Sequence, residues 1–71
     1  MSNIVVHLVN GEKFIIDVSS LTNITTEYDM DSMISNAEPF IKFNIKDGRT
    51  KVIIKSQVAV IDYKLPKRKE V

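Results

Sequence analysis

Cysteine and tryptophan are absent from this 71-residue chain, histidine occurs once, and glycine and proline occur twice each. Without cysteine there is no disulfide and no thiolate metal site. Two isolated glycines exclude a glycine-rich phosphate loop. One histidine without any cysteine leaves no recognisable set of nucleophile, base and orienting group. No apolar run approaches the roughly 20 residues that cross a bilayer, and no basic segment leads into a long apolar stretch near Met1. These absences point away from catalysis, cofactors, metals and membranes. A cytoplasmic protein that acts by binding is the expectation.

What is present fits one small globular domain, with 44% hydrophobic and 27% charged residues. A chain this short buries only about 60% of its unfolded surface, and oligomerisation is a common remedy, so a homo-oligomer is expected. The net charge of +1 conceals a division. Residues 1–41 hold Lys13 against Glu12, Asp17, Glu27, Asp29, Asp31 and Glu38, a balance of 1 − 6 = −5. Residues 42–71 hold Lys42, Lys46, Arg49, Lys51, Lys55, Lys64, Lys67, Arg68 and Lys69 against Asp47, Asp62 and Glu70, a balance of 9 − 3 = +6. Such polarity suits an anionic partner or contact between copies.

The order of elements comes from periodicity and turn chemistry. Residues 3–9 and 12–18 read as strands around Asn10-Gly11, the pair that favours a two-residue type I′ turn. That turn pairs His7 with Phe14 and gathers Val5, His7, Val9, Phe14, Ile16 and Val18 on one face. Ile4, Val6, Leu8 and Ile15 take the other, so both faces are apolar and each is expected to be covered. Residues 19–38 are polar; Asp29 is positioned to cap a short helix over 30–36, and Pro39 closes the segment. Residues 40–46 and 49–55 form a second hairpin about Asp47-Gly48, and residues 58–63 a last strand after the Ser56-Gln57 break. A single domain over 1–65 and a basic, flexible tail over 66–71 are expected.

Five short strands with a one-turn break before the last predict a mainly β, five-stranded SH3-like or Sm-like small barrel. A short helix lies in its long connection between the second and third strands. An open ββαββ sheet is the competing plan. Two stretches strengthen the barrel. "VHLVNGEKFIIDVSSL" (6–21) and "IKSQVAVI" (54–61) resemble the two motifs of the bacterial Sm-like RNA chaperones (Hfq). The resemblance covers about a third of the chain. It implies rings of barrels joined through their fourth and fifth strands, and RNA binding in which Lys55 is the one matching contact. Ile16 stands where the family has a strand-bending glycine, Thr22 where it has aspartate, and Ser56 where it has the RNA-contacting histidine.

Two sets of binding residues follow. In the second hairpin, alternation places Lys42, Lys46, Arg49, Lys51 and Lys55 on one face, with Phe40 at its end. Such a row neutralises phosphates while the aromatic stacks a base, which points to RNA or DNA; it is also how a hairpin keeps an outer face soluble. The second set is Glu27, Asp29, Asp31 and Glu38, an acidic stretch suited to a basic protein partner. "DMDS" is not a calcium loop, because Met33, Ile34 and Phe40 occupy its fifth, sixth and twelfth positions. His7 is expected to pack in its strand rather than catalyse.

Overall fold

A computed structural model describes residues 2–67. Arg68 and Lys69, assigned to the basic tail, lie outside the described residues. Five strands are present: β1 (Asn3–Leu8), β2 (Lys13–Asp17), β3 (Phe40–Asn44), β4 (Thr50–Ile54) and β5 (Val58–Tyr63). One helix, α1 (Glu27–Ser35), lies between β2 and β3. The strands are antiparallel and form two sheets, in the orders β2-β1-β5 and β3-β4. The expected closed barrel is not formed among the described residues: neither β4 nor β5 has a partner beyond its own sheet. The single open sheet is not formed either.

Both hairpin turns differ from the expected two-residue type. That type needs positive φ at both central residues. Only Gly11 (φ 92°) and Gly48 (φ 95°) adopt it among the described residues. Each loop therefore has three residues, Val9-Asn10-Gly11 and Lys46-Asp47-Gly48. Leu8 N–H donates to Glu12 O (2.8 Å) and Gly11 N–H to Leu8 O (3.0 Å). Ile45 N–H donates to Arg49 O (2.8 Å) and Gly48 N–H to Ile45 O (2.9 Å). The middle side chain fixes each loop. Asn10 Oδ1 accepts from Glu12 N–H (3.0 Å) and Asp47 Oδ1 from Arg49 N–H (2.9 Å). The short side-chain acceptor competes for a backbone donor just past the turn, which is why Asn and Asp favour such positions.

The extra loop residue moves each register by one, and in a strand that exchanges the faces. His7 lies opposite Lys13, not Phe14, and Val6 opposite Phe14. Ile4, Val6 and Ile16 thus share the inward face and are buried, with Leu8 and Phe14 packed against them. Val5, His7 and Ile15 turn outward instead. The expectation that both apolar faces are covered holds for one only: Ile15 is 63% exposed.

The two sheets enclose a core of Ile4, Val6, Ile16, Leu21, Ile24, Met30, Ile41, Phe43, Ile53 and Leu65. They are stitched where the chain leaves β2. Asp17 caps a 3-10 turn, Val18–Ser20, by accepting from Ser19 N–H. Leu21 then bridges Ile45, Lys46 N–H donates to Ser20 O (2.8 Å), and Thr22 N–H donates to Asn44 O (2.9 Å). The Asn23 side chain completes the seam, donating to Lys42 O and accepting from Asn44 N–H.

The helix starts three residues before the expected one, because Thr26 and not Asp29 is its cap. Thr26 Oγ1 accepts from Asp29 N–H (3.2 Å), and Asp29 Oδ2 accepts from Thr26 N–H (3.1 Å), which is a capping box. Its inward side carries the fully buried Met30, preceded in the connection by the fully buried Ile24. The helix N-terminus is tied to the far end of the chain, where Glu27 N–H donates to Pro66 O (2.7 Å).

Candidate functional site at an open strand edge

The expected basic face does not assemble, and the cause is the register of the second hairpin. Ile41 lies opposite Ile53 and Phe43 opposite Lys51. Lys51 and Arg49 therefore fall on the core side of the ribbon, while Lys42 and Phe40 fall on the outer side with Val52 and Ile54. Lys51 Nζ sits 4.6 Å from the centroid of the Phe14 ring, a cation–π geometry worth about 0.5–1 kcal/mol at an exposed site. Arg49 Nε pairs with Asp47 Oδ2 at 2.7 Å within its own turn, and that bonding holds the Asp47 carboxyl below its usual value, the Arg49 N–H first among the causes. Lys46 lies in the loop. Lys55 is in a 3-10 turn, Lys55–Gln57, where Nζ donates to Asn36 O (2.8 Å) and Oδ1 (2.9 Å) at the end of α1.

The acidic set is also dispersed into structural work. Asp29 Oδ2 accepts from Thr25 N–H and Oγ1–H and from Thr26 N–H. These donors, the Thr25 N–H foremost, hold its carboxyl below the usual carboxylate value against a smaller opposing effect of burial. Asp31 accepts from the Tyr63 hydroxyl, joining α1 to β5. Glu27 begins the helix, and Glu38 follows it, exposed, with its N–H on Asn36 Oδ1.

The Asp31 contact has a measurable signature. The carboxylate accepting from Tyr63, aided by burial, pushes the phenol from 10.0 up to about 12. The protonated phenol is the form that the fold favours. Its contribution is complete below pH 10 and is lost as the pH rises through about 12. In a Tyr28→Phe variant Tyr63 is the sole tyrosine, and its ultraviolet titration is expected near 12. Asp31→Asn should bring that titration back toward 10.0; an unmoved curve would show that Asp31 does not hold it.

His7 acquires a partner that sequence reasoning missed. Its Nε2 lies 3.1 Å from Asp62 Oδ2 across β1 and β5, on the outer sheet face. Only the pairing of strands 55 residues apart in sequence reveals it. Among the described residues no group of three or more His, Cys, Asp or Glu is placed to hold a metal ion. No helix among them is long and apolar enough to cross a membrane.

A different feature emerges on β4. Successive residues of a strand point their backbone groups to alternate sides. Ile45 and Arg49, and then Pro39 and Lys55, bond across the hairpin. By that parity Lys51 and Ile53 turn their backbone toward β3, and Thr50, Val52 and Ile54 turn theirs away, onto an edge with no neighbouring strand among the described residues. Beside this edge lies a cleft of about 280 Å³ lined mainly by Leu8, Phe14, Val52, Ile53, Ile54 and Lys51. Val52 is 50% and Ile54 48% exposed. The clearest sequence signal for it is the run Val52-Ile53-Ile54, three consecutive apolar residues where one-sided burial needs only alternate ones.

No protein-family model, no curated protein and no solved structure matches the chain significantly.

Proposed function

We propose that the protein is a non-enzymatic binding module that accepts an extended, acidic segment of a protein partner as an added strand on β4. The carrying observation is an open edge of three backbone positions beside an apolar cleft. Strand addition takes affinity from backbone hydrogen bonds and specificity from pockets for alternate side chains. Lys51 is exposed beside the edge and makes no ion pair among the described residues, and Lys55 lies at its end on Asn36, which favours carboxylates in the partner; Arg49 is already paired with Asp47. The arrangement also supports an SH3-like reading of the fold. β1 lies between β2 and β5, the second hairpin forms the facing sheet, and one 3-10 turn joins β4 to β5.

Nucleic-acid binding is the second reading. Lys42, Lys46 and Lys51 are exposed and make no ion pair among the described residues, so their charges are available to phosphates.

Amide NMR of the labelled protein separates the two, using an alternating valine–glutamate peptide and an oligouridine as probes. The peptide is expected to shift and protect the amides of Thr50, Val52 and Ile54. Val52→Pro removes an outward N–H at a position where an edge strand tolerates proline. One lost hydrogen bond of about 0.5–1.5 kcal/mol, with the ring's bulk, should weaken the peptide about tenfold. Unperturbed β4 amides, or undiminished affinity in Val52→Pro, would overturn the strand-addition reading. Oligouridine binding that declines steeply with salt would favour the second.

A further inference from the structure

A second open edge belongs to β2, and its sequence is complementary to itself. Val18 N–H donates to Ser2 O and Leu8 N–H to Glu12 O, so even-numbered residues of β1 bond toward β2. Phe14 and Ile16 are their partners. Lys13, Ile15 and Asp17 therefore direct their backbone groups away from β1, where no strand lies among the described residues. A cleft of about 190 Å³ runs beside this edge between the two sheets, with Ile15 and Asp17 on one wall and Arg49 and Lys51 of the second hairpin on the other, and Ile15 is exposed at it.

We propose that β2 pairs antiparallel with β2 of a second copy about a two-fold axis at Ile15, making one continuous six-stranded sheet. The segment reads Lys-Phe-Ile-Ile-Asp. With Ile15 opposite its symmetry mate, Lys13 of each copy lies opposite Asp17 of the other. Phe14 lies opposite Ile16. Directly opposed residues share a face and interact, favourably for opposite charges and for apolar pairs. Two Lys–Asp pairs thus flank an Ile–Ile contact on the outer face, where Ile15 is otherwise 63% exposed. Three opposed positions with outward backbone groups offer up to six new backbone hydrogen bonds. Asp17 remains suited to the pairing, since its bonds to Ser19 use Oδ1 and leave Oδ2 for lysine.

The other edges do not match themselves in this way. A two-fold at Val52 sets Arg49 opposite Lys55, like against like. A two-fold at Ile61 sets Asp62 opposite Val60, with no compensating cation. Self-pairing through β2 leaves the outward backbone groups of Thr50, Val52 and Ile54 unpaired, although Arg49 and Lys51 line the β2 cleft as well.

The test is a charge exchange read by sedimentation velocity over a concentration series. The full chain is expected to form dimers. Lys13→Asp opposes Asp to Asp17 at two places, and Asp17→Lys opposes Lys to Lys13. Each variant alone should associate at least about tenfold more weakly. Mixed in equal amounts they restore both opposite-charge pairs, so heterodimers should reappear. A circular-dichroism melt of each single variant checks that it is folded, and the mixture tests Lys13→Asp even where loss of the Asp17 cap weakens its partner. Because the chain has no cysteine, Ile15→Cys gives a second readout. A two-fold at this position brings the thiols within disulfide reach, so oxidation should yield covalent dimers, whereas Val52→Cys should not. A monomeric wild type at all concentrations, undiminished dimers in Lys13→Asp, or cross-linking through position 52 in place of 15 would each overturn the proposal.

Discussion

Phe43→Ala is expected to lower folding stability by about 3–5 kcal/mol, the usual cost of truncating a buried phenylalanine. Phe43 is fully buried and is the largest of the fully buried side chains. It projects from β3 into the space between the two sheets, among Ile4, Val6, Ile16 and Ile41. A 71-residue domain has about 4–10 kcal/mol in all, at roughly 0.05–0.15 kcal/mol per residue. The substitution therefore removes a third or more of the total. Without disulfides there is no cross-link to contain the loss. Urea denaturation followed by circular dichroism measures it as a lower midpoint with little change in slope. A loss below about 1 kcal/mol would mean that the two sheets do not pack on Phe43.

The second large effect concerns the connection before β3. Its sequence is acidic and polar, the composition of a surface connection. The structure argues otherwise. Ile24 and Met30 are both fully buried, and the capping Thr26 is nearly so. Each apolar residue truncated to alanine costs about 2–5 kcal/mol. Ile24→Ala combined with Met30→Ala is thus expected to leave the chain largely unfolded at 25 °C, at roughly 4 kcal/mol or more. Deletion of residues 24–37 should do the same. Exposed Ile34 provides the contrast, since Ile34→Ala lies at the helix surface and should change stability by less than about 0.5 kcal/mol. Amide exchange locates the loss: if β1 and β3 stay protected in the double variant, the helix is an appendage and not part of the core.

These residues show how far the sequence can be read. The strands near 3–9, 12–18, 40–46, 49–55 and 58–63 are present, each trimmed by at most a few residues, because β-branched runs bounded by glycine turns are local signals. The helix expected from sequence starts late because Thr26 and Asp29 are both good caps, and only their reciprocal bonding decides between them. The binding residues were harder to read. The basic row depended on a two-residue turn at Asp47-Gly48, and one more loop residue sent Lys51 to Phe14 and left Lys42 on the opposite face. Asp62 beside His7, and Phe14 beside Lys51, are neighbours made by long-range pairing, which leaves no local pattern.

By itself the sequence determined where the chain turns and which segments extend. Asn10-Gly11 and Asp47-Gly48 can only be turns, and the segments around them can only bury their apolar side chains by pairing. Tertiary structure alone decided which face goes inward. Ile4, Val6 and Leu8 compete with Val5, His7 and Val9 for the core; the first set is the more apolar because His7 is polar, but both carry branched apolar residues that fit a strand. A side-chain period of two makes them alternatives that one loop residue exchanges. The choice falls to the set that meets Phe43, Ile41 and Met30 across the sheets, and those partners come from residues remote in sequence. The same choice turned Ile15 outward, while the division of the strands into two sheets left the edges of β2 and β4 open, and from those edges the proposed contacts follow.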